Sequence, residues 1–467
     1  MRNIAIWIVA ILSCTSLSMA GDNISTINKR ATDIFDWSEA NYTKESISKI
    51  DEYYTSLHNR GVFNGNILIA HKGQPIYQKS LGYAVKSTGE KLTSQSTFQL
   101  ASTSKPFTAT AILILHERGQ LDIDDVVSKY FPDFPYKRVT IRHLLSHRSG
   151  IPDYMKLGSF FNQKFISNED VMQMFARHRP RALHSANGVF KYNNSNYVVL
   201  AALVEKISGD SFADFLHDNI FRPLGMNSTW VWHPTQKRKK GQTYGYNRSW
   251  VPRTPDKYNG TSGDKGIYST AEDLLKWDLA WHNCNLLKEE TILDAYEEQS
   301  PRVNDRNYGL GWRTKQLEGG KKMIYHNGWW NDYNIVFKRF IDDELTIIIL
   351  SNKYNRSVYD TEFAESLLFR ESEPQHNESF YADNVSIGSI MKEQAIPNLT
   401  PFNYSPESET ASTASADDHN TPTYYTVKRG DTLYQIAQKF NLSVSRLKQL
   451  NKIVSTKILL GQRLVIY

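Results

Sequence analysis

Cysteine is nearly missing from this chain of 467 residues, which carries only Cys14 and Cys284. If the first is removed with an N-terminal leader, one thiol remains, so no internal disulfide can form and stability must come from packing. Long apolar runs are equally scarce, and the one at 4–12 is too short to span a bilayer. A zinc-protease pattern is absent too. His143 and His147 stand four apart, but the glutamate is missing and no nearby acidic or cysteine ligand completes a set. No metal and no other cofactor is expected.

The N-terminus begins Met1-Arg2, continues through the apolar run and ends in Ser18-Met19-Ala20. That is the pattern of a secretory signal peptide, residues 1–20, cleaved after Ala20. Ile11-Leu12-Ser13-Cys14 offers a second reading as a lipoprotein signal with Cys14 lipidated, ranked behind the first. The mature chain is expected outside the cytoplasm, in the periplasm, cell envelope or medium, without a transmembrane segment. Cys284 has nothing basic beside it in sequence and reads as a buried small hydrophobe rather than a nucleophile.

The formal net charge of +6 is unevenly placed. Residues 373–423 hold eight acids against one base, Lys392, among scattered Ser, Thr, Asn and Pro. Such a stretch cannot bury enough apolar surface to fold and reads as a flexible linker. Residues 424–467 hold eight bases against one acid, Asp431. A basic module can mark a nucleic-acid partner, but an exported chain has little access to one, so no nucleic acid is expected. The length exceeds one ordinary hydrophobic core, and the segment 47–372 alternates apolar helical stretches with β-like runs as an α/β (α+β) domain does. Within it Gly65-Asn66-Ile67-Leu68-Ile69-Ala70, the Lys72-Gly73 turn and Pro75-Ile76-Tyr77 predict a hairpin. Ile335-Val336-Phe337 and 345–350, either side of Asp342-Asp343, predict two more strands.

Ala101-Ser102-Thr103-Ser104-Lys105-Pro106-Phe107 leads into the apolar run 112–115. Proline is tolerated only in a first helical turn, so a helix should begin near Ser102, apolar nearly all round and therefore buried. Ser102 and Lys105, three apart, then share one face at its tip. A lysine there needs hydrogen bonds or deprotonation, the conditions under which an amine helps take the proton of a neighbouring serine. The spacing alone says little, since it recurs at Ser46 with Lys49, Ser262 with Lys265 and Ser445 with Lys448. Only the Ser102 copy opens a buried helix.

Ala101-Ser102-x-x-Lys105-Pro106-Phe107 resembles the first active-site motif of the class C β-lactamase and penicillin-binding family. Further segments follow in the family's order: His143-Leu144-Leu145-Ser146-His147-Arg148-Ser149-Gly150-Ile151-Pro152, then Tyr192-Asn193-Asn194 as its Tyr-x-Asn motif. Gly266-Ile267-Tyr268-Ser269-Thr270-Ala271 comes next, and Tyr325-His326-Asn327-Gly328 stands in the place of the third motif. The resemblance implies a β-lactamase/transpeptidase-like fold, an antiparallel sheet flanked by helices plus an all-helical region. It makes Ser102 the nucleophile, with Lys105 and Tyr192 sharing general-base and general-acid work. It makes Asn194 the residue that orients Lys105 and the substrate amide, and the backbone N–H groups of Ser102 and Trp329 the oxyanion hole. His326, Asn327 and Gly328 would contact substrate, Gly328 because a side chain there would block its approach. Many relatives carry lysine where His326 stands, so grip on a substrate carboxylate is expected to be weaker. Trp329 and Trp330 are expected to line or crowd the acyl pocket.

Val427-Lys428-Arg429-Gly430-Asp431-Thr432-Leu433 reads as a strand, a turn and a helix cap, followed by two short helices and a closing strand at 460–466. This separate small βααβ unit resembles a LysM domain, which implies binding to peptidoglycan or another N-acetylglucosamine-containing glycan. The groove would lie between Gly430, Asp431 and Thr432 and the loop at 455–460. The expected whole is an exported serine hydrolase taking a small acyl substrate, a D-alanyl-D-alanine carboxypeptidase-like enzyme on wall peptides. A β-lactamase, an esterase of the same family and a non-catalytic glycan-binding protein are the alternatives.

Overall fold

The computed structural model describes residues 42–300 and 306–369 and, towards the C-terminus, 424–428, 436, 437, 439, 440, 442, 447, 450, 451 and 461–466. The expected leader 1–20 with Cys14, the linker 373–423, and Gly430, Asp431 and Thr432 with the loop at 455–460 lie outside these residues.

Positive-φ turns fold the chain back on itself wherever the apolar runs pause. Lys72 and Gly73 both take φ above zero and join β1 (Gly65–His71) to β2 (Gln74–Leu81), the predicted hairpin. β3 (Tyr83–Val85) and β4 (Glu90–Lys91) form a small hairpin of their own, and β5 (Phe98–Gln99), β6 (Trp230–Val231) and β7 (Ile267–Ser269) a small sheet ordered β5-β7-β6. β8 (Arg306–Tyr308), β9 (Arg313–Gln316), β10 (Lys322–Trp330), β11 (Tyr333–Phe340) and β12 (Leu345–Ser351) follow. Asn331 and Asp332, again both at positive φ, turn β10 into β11. The main sheet is antiparallel and runs β2-β1-β12-β11-β10-β9-β8, so the first and last strands of the domain pair with each other one strand in from its β2 edge.

Helices cover both faces. α1 (Lys44–Asn59) and α9 (Glu362–Phe369) lie on one, where Ile47, Ile50 and Tyr54 pack with Ile67, Ile69, Val336, Ile347 and Leu368. The larger core on the other face joins α2 (Lys105–Glu117), α3 (Ile141–Leu145), α4 (Asn168–His178), α5 (Asn194–Ser208), α6 (Phe212–Leu216), α7 (Ala271–His282) and α8 (Glu289–Tyr296). α2 is buried from Lys105 to Leu115 without interruption, as its all-round apolar sequence requires. At the seam with the sheet, Trp277 of α7 stacks on Phe107 of α2 with ring centroids 3.8 Å apart and on Trp312 at 5.2 Å. Below it Arg339 of β11 is bound to the Asp278 carboxylate, which also accepts from the Thr346 hydroxyl at 2.7 Å. A buried guanidinium is tolerated there because it is paired.

Cys284 corrects the expectation of a buried small hydrophobe. It is exposed, at φ +55 just past the end of α7, where the chain turns away from the helix. In the C-terminal segment β13 (Tyr424–Thr426) pairs antiparallel with β14 (Arg463–Val465). Val427, Ile436, Ala437, Leu447, Leu464 and Ile466 make a separate core, and the Asn451 amide holds Val465 by two hydrogen bonds. No helix among the described residues is long and apolar enough to cross a membrane.

Because the Trp277 ring is fully buried between α2 and the sheet, Trp277→Ala should destabilise the domain by about 3–5 kcal/mol, measured as a lowered urea midpoint. A midpoint unchanged within error would mean that this stack does not join the helical layer to the sheet.

Candidate active site

The chain reaches Ser102 through a strained corner. Ala101 takes φ +50, a left-handed conformation that disfavours any residue with a Cβ, and a 3₁₀ turn over Ala101–Ser104 follows before α2 starts at Lys105. The α-helix proper thus begins three residues later than predicted, and Ser102 sits in the tighter turn that feeds it. The corner is held from two sides. The Leu100 N–H donates to the Ile267 carbonyl at 2.8 Å, and the Thr103 hydroxyl to the His326 carbonyl at 3.3 Å. Gly328 lies against it, where an added Cβ would stand 2.1 Å from the Leu100 carbonyl oxygen. Glycine is therefore required by the close approach of β10 to this corner, a reason that stands beside the expected clearance for substrate.

Lys105 has no solvent exposure, so its amine must be satisfied internally. Nζ lies 3.1 Å from Ser102 Oγ, 2.9 Å from Asn194 Oδ1 and 2.9 Å from the Asp264 carbonyl oxygen. Three acceptors, one from the preceding turn and two from distant segments, surround the amine. Asn194 is delivered by the first residue of α5, whose N-cap Asn193 accepts from the Ser195 N–H at 2.8 Å. The Tyr192 ring closes over the amine, 4.9 Å from Nζ to the centroid, and its hydroxyl makes no hydrogen bond among the described residues.

Two buried histidines stand behind Tyr192. His147 packs on the Tyr192 ring at 4.3 Å and on Tyr308 at 4.8 Å. Its Nδ1 accepts from the Asn193 N–H at 3.1 Å and the Asn196 amide at 3.0 Å, so its proton rests on Nε2. His326 Nδ1 donates to the Asn327 carbonyl at 2.8 Å, leaving Nε2 to accept from the Tyr308 hydroxyl at 3.2 Å. Burial pushes both imidazoles well below their ordinary range, and the nearby charges of Lys105 and Arg313 push the same way. Both are neutral near pH 7. His143, by contrast, caps its own helix by accepting from the Thr140 N–H, and among the described residues no metal-holding cluster of His, Cys, Asp or Glu is found.

A hydroxyl, a buried amine, an amide and a phenol around one point are reagents for acyl transfer, and the comparisons with known proteins agree. Residues 48–368 match the family model described as Beta-lactamase. The chain belongs to the beta-lactamase family. Residues 425–466 match the LysM domain, so this family member carries a LysM module at its C-terminal end. It is 36% identical over 337 residues to penicillin-binding protein 4* of Bacillus subtilis, covering 68% of this chain and 73% of that one. The putative penicillin-binding protein PbpX of the same organism is 28% identical over 63% of this chain and 72% of its own. Among solved structures, a penicillin-binding protein from Bacillus halodurans aligns with a TM-score of 0.61 at 25% identity, over 68% of this chain and 99% of that one. This is a serine hydrolase of the β-lactamase and penicillin-binding class, with the fold expected of it.

The third-motif strand of this beta-lactamase family member has an open edge. β9 pairs with β10 only from Lys322 to Tyr325, so 326–330 run on without a strand partner on that side among the described residues. His326 and Gly328 face the Ser102 corner, and Asn327 and Trp329 alternate to the other side of the strand. The Asn327 side-chain oxygen is buried without a hydrogen bond. The Trp329 ring, 45% exposed, turns towards Tyr354, while Trp330 lies over Lys265, 5.0 Å from Nζ.

Sequence reasoning missed three neighbours. Arg313 of β9, opposite Tyr325 in register, lies 5.1 Å from the Tyr192 ring centroid; nothing in its local sequence marks it, since only strand pairing brings it there. Tyr308 reaches the site by the same route. Lys265 belongs to a Ser-x-x-Lys copy dismissed as chance, yet it is buried with Asp264 and donates to Tyr154 Oη and Thr261 Oγ1 at 2.7 Å each. That pair fixes the residue whose carbonyl receives Lys105.

Gly328→Ala should cost about 1–3 kcal/mol of stability and remove serine reactivity towards a fluorophosphonate, because the corner must move. Full labelling in the alanine variant would show that the corner tolerates the displacement. The buried neutral histidines set a pH dependence. The unfolded chain takes up protons at His147 and His326 as the pH falls below about 6.5, while the folded chain resists, so stability is present above that value and declines beneath it. Unfolding free energies from urea titrations should fall by up to about 1.4 kcal/mol per pH unit for each histidine between pH 7 and 5. His326→Asn should reduce that slope, and an equal slope in the variant would exclude His326 as a source.

Proposed function

We propose that this chain is an exported serine hydrolase acting through an acyl-Ser102 intermediate, a D-alanyl-D-alanine carboxypeptidase-like enzyme on peptidoglycan peptides. In this reading 1–20 is the export signal, 47–372 the hydrolase unit, 373–423 a linker and 424–467 a LysM unit that binds wall glycan, with Gly430, Asp431 and Thr432 in its groove. The tether raises the enzyme's effective concentration on the wall.

The observation that carries the chemistry is the 3.1 Å contact between Ser102 Oγ and a fully buried Lys105 amine. As Oγ attacks the substrate carbonyl, its proton passes to the Lys105–Tyr192 pair, which returns it to the departing amine. The Ser102 and Trp329 N–H groups receive the oxyanion, the latter on the unpaired edge of β10, where an extended peptide can lie as an added strand. Water then attacks the acyl-serine with the same pair as base.

Specificity follows from charge. His326 is neutral, so the cation available for a terminal carboxylate is Arg313, half-buried beside Tyr192 and diagonal across the strand pair from Asn327. The names of the penicillin-binding relatives support a D-alanyl peptide, and the LysM match supports glycan at hand.

Mass spectrometry of the protein with a penicillin and with a fluorophosphonate should find one adduct, on Ser102, absent in Ser102→Ala. A D-Ala-D-Ala peptide should be hydrolysed, and Arg313→Leu should raise its KM roughly tenfold to a hundredfold while leaving p-nitrophenyl acetate turnover in place. Fast turnover of nitrocefin would assign a β-lactamase, and ester hydrolysis without peptide hydrolysis an esterase. No adduct at all would leave a glycan-binding protein.

A further inference from the structure

Beyond the open edge of β10 a surface of aromatic rings and unpaired cations extends away from Ser102. It begins at Trp329, whose ring lies 6.2 Å from Tyr354 and has the Arg356 guanidinium 5.8 Å above it. Arg248 sits 5.2 Å over Tyr354. Tyr354 is tied to the next segment by its N–H to the Tyr246 carbonyl at 2.7 Å, and Tyr246 packs on Trp250 at 5.3 Å. Trp250 meets Tyr83 edge-on at 6.1 Å, with Lys86 Nζ 4.1 Å and Lys91 Nζ 3.9 Å over the Tyr83 ring. Two aromatic clusters, Trp329 with Tyr354 and Trp250 with Tyr83, thus lie between the strand edge and the β3–β4 hairpin, joined by the backbone and the buried ring of Tyr246.

The charge on this strip is not neutralised. Two of its acids, Glu90 and Asp332, are each bound by an arginine, Arg238 and Arg253. Among the described residues Lys86, Arg248 and Arg356 have no carboxylate partner and rest against aromatic faces instead. A cation over a ring is held in place but keeps its charge for a ligand. The potential is felt locally, since a hydrogen bond from Lys91 and the charges of Lys86 and Lys91 hold the Tyr83 phenol below its ordinary range. Indole and phenol faces suit the apolar faces of sugar rings, and spaced cations suit a polymer with regularly spaced anions.

We infer that this strip is a second glycan-binding surface, on the hydrolase unit itself, for an anionic glycan whose charges are peptide carboxylates. The choice of carboxylate rests on the proposed activity, because the strip leads out of the edge where that reading lays a wall peptide. A chain bound along it would present its peptides to Ser102 independently of the LysM unit.

The test uses the full-length protein, insoluble peptidoglycan sacculi and an excess of soluble N-acetylglucosamine hexamer to occupy the LysM unit. Co-sedimentation should persist under the hexamer, weaken with salt, and weaken roughly tenfold in the double variant Arg248→Ser/Arg356→Ser. It should also be lost on sacculi whose carboxylates have been amidated and kept on sacculi stripped of phosphodiester polymers. p-Nitrophenyl acetate hydrolysis should be the same in both proteins. Abolition by the hexamer alone, equal binding by the double variant, or loss on stripping with retention on amidated sacculi would each overturn the inference. Charge-dependent binding without any ester, penicillin or peptide reactivity would uphold the surface and refute the hydrolase reading.

Discussion

A primary amine placed where water does not reach needs acceptors from the protein, and their positions then dictate much of the surrounding chain. For Lys105 these are the Ser102 hydroxyl one turn back, the Asn194 amide at the start of α5 and the Asp264 carbonyl ahead of β7. Each acceptor is fixed in turn. Asn194 follows an N-cap whose backbone is gripped by His147, and Asp264 is clamped by Lys265 and Tyr154, both of which also bond Thr261. The helical layer and the segment before β7 are drawn together at one nitrogen.

The sheet supplies the opposing wall. β10 presses so close to the Ser102 corner that only glycine fits at 328, and the left-handed Ala101 is held in place by that contact and by β7. Strain at Ala101 and close approach at Gly328 are two sides of one constraint, which fixes the backbone that carries the serine. The cost is offset by the aromatic stack of Phe107, Trp277 and Trp312, which keeps α2 seated on the sheet immediately behind the corner.

Local patterns made the parts of this arrangement legible where one segment carries the signal. Pro106 and the apolar run after it marked a buried helix start, and a spacing of three put Ser102 and Lys105 together. The two hairpins were visible in their turns and β-rich runs. What escaped depends on pairing between segments far apart in sequence. Arg313 and Tyr308 enter the site only because β8 and β9 lie beside β10, and Lys265 looked like a chance repeat because its partners come from 154 and 261. Cys284 was misjudged for the converse reason. An apolar residue type says nothing of burial once the helix before it has ended in a positive-φ turn.

The histidine in the third motif has a consequence for where positive charge can sit. A lysine at 326 would bring an ammonium into a site with no exposure, where burial already opposes charge on the imidazole. The imidazole avoids this by staying neutral, fixed as donor to Asn327 and acceptor from Tyr308. A cation is still present, but it has moved one strand outward to Arg313, where it is half-exposed and where a guanidinium stays charged at every physiological pH. Proton transfer at Ser102 and attraction of an anionic substrate are thereby assigned to different groups.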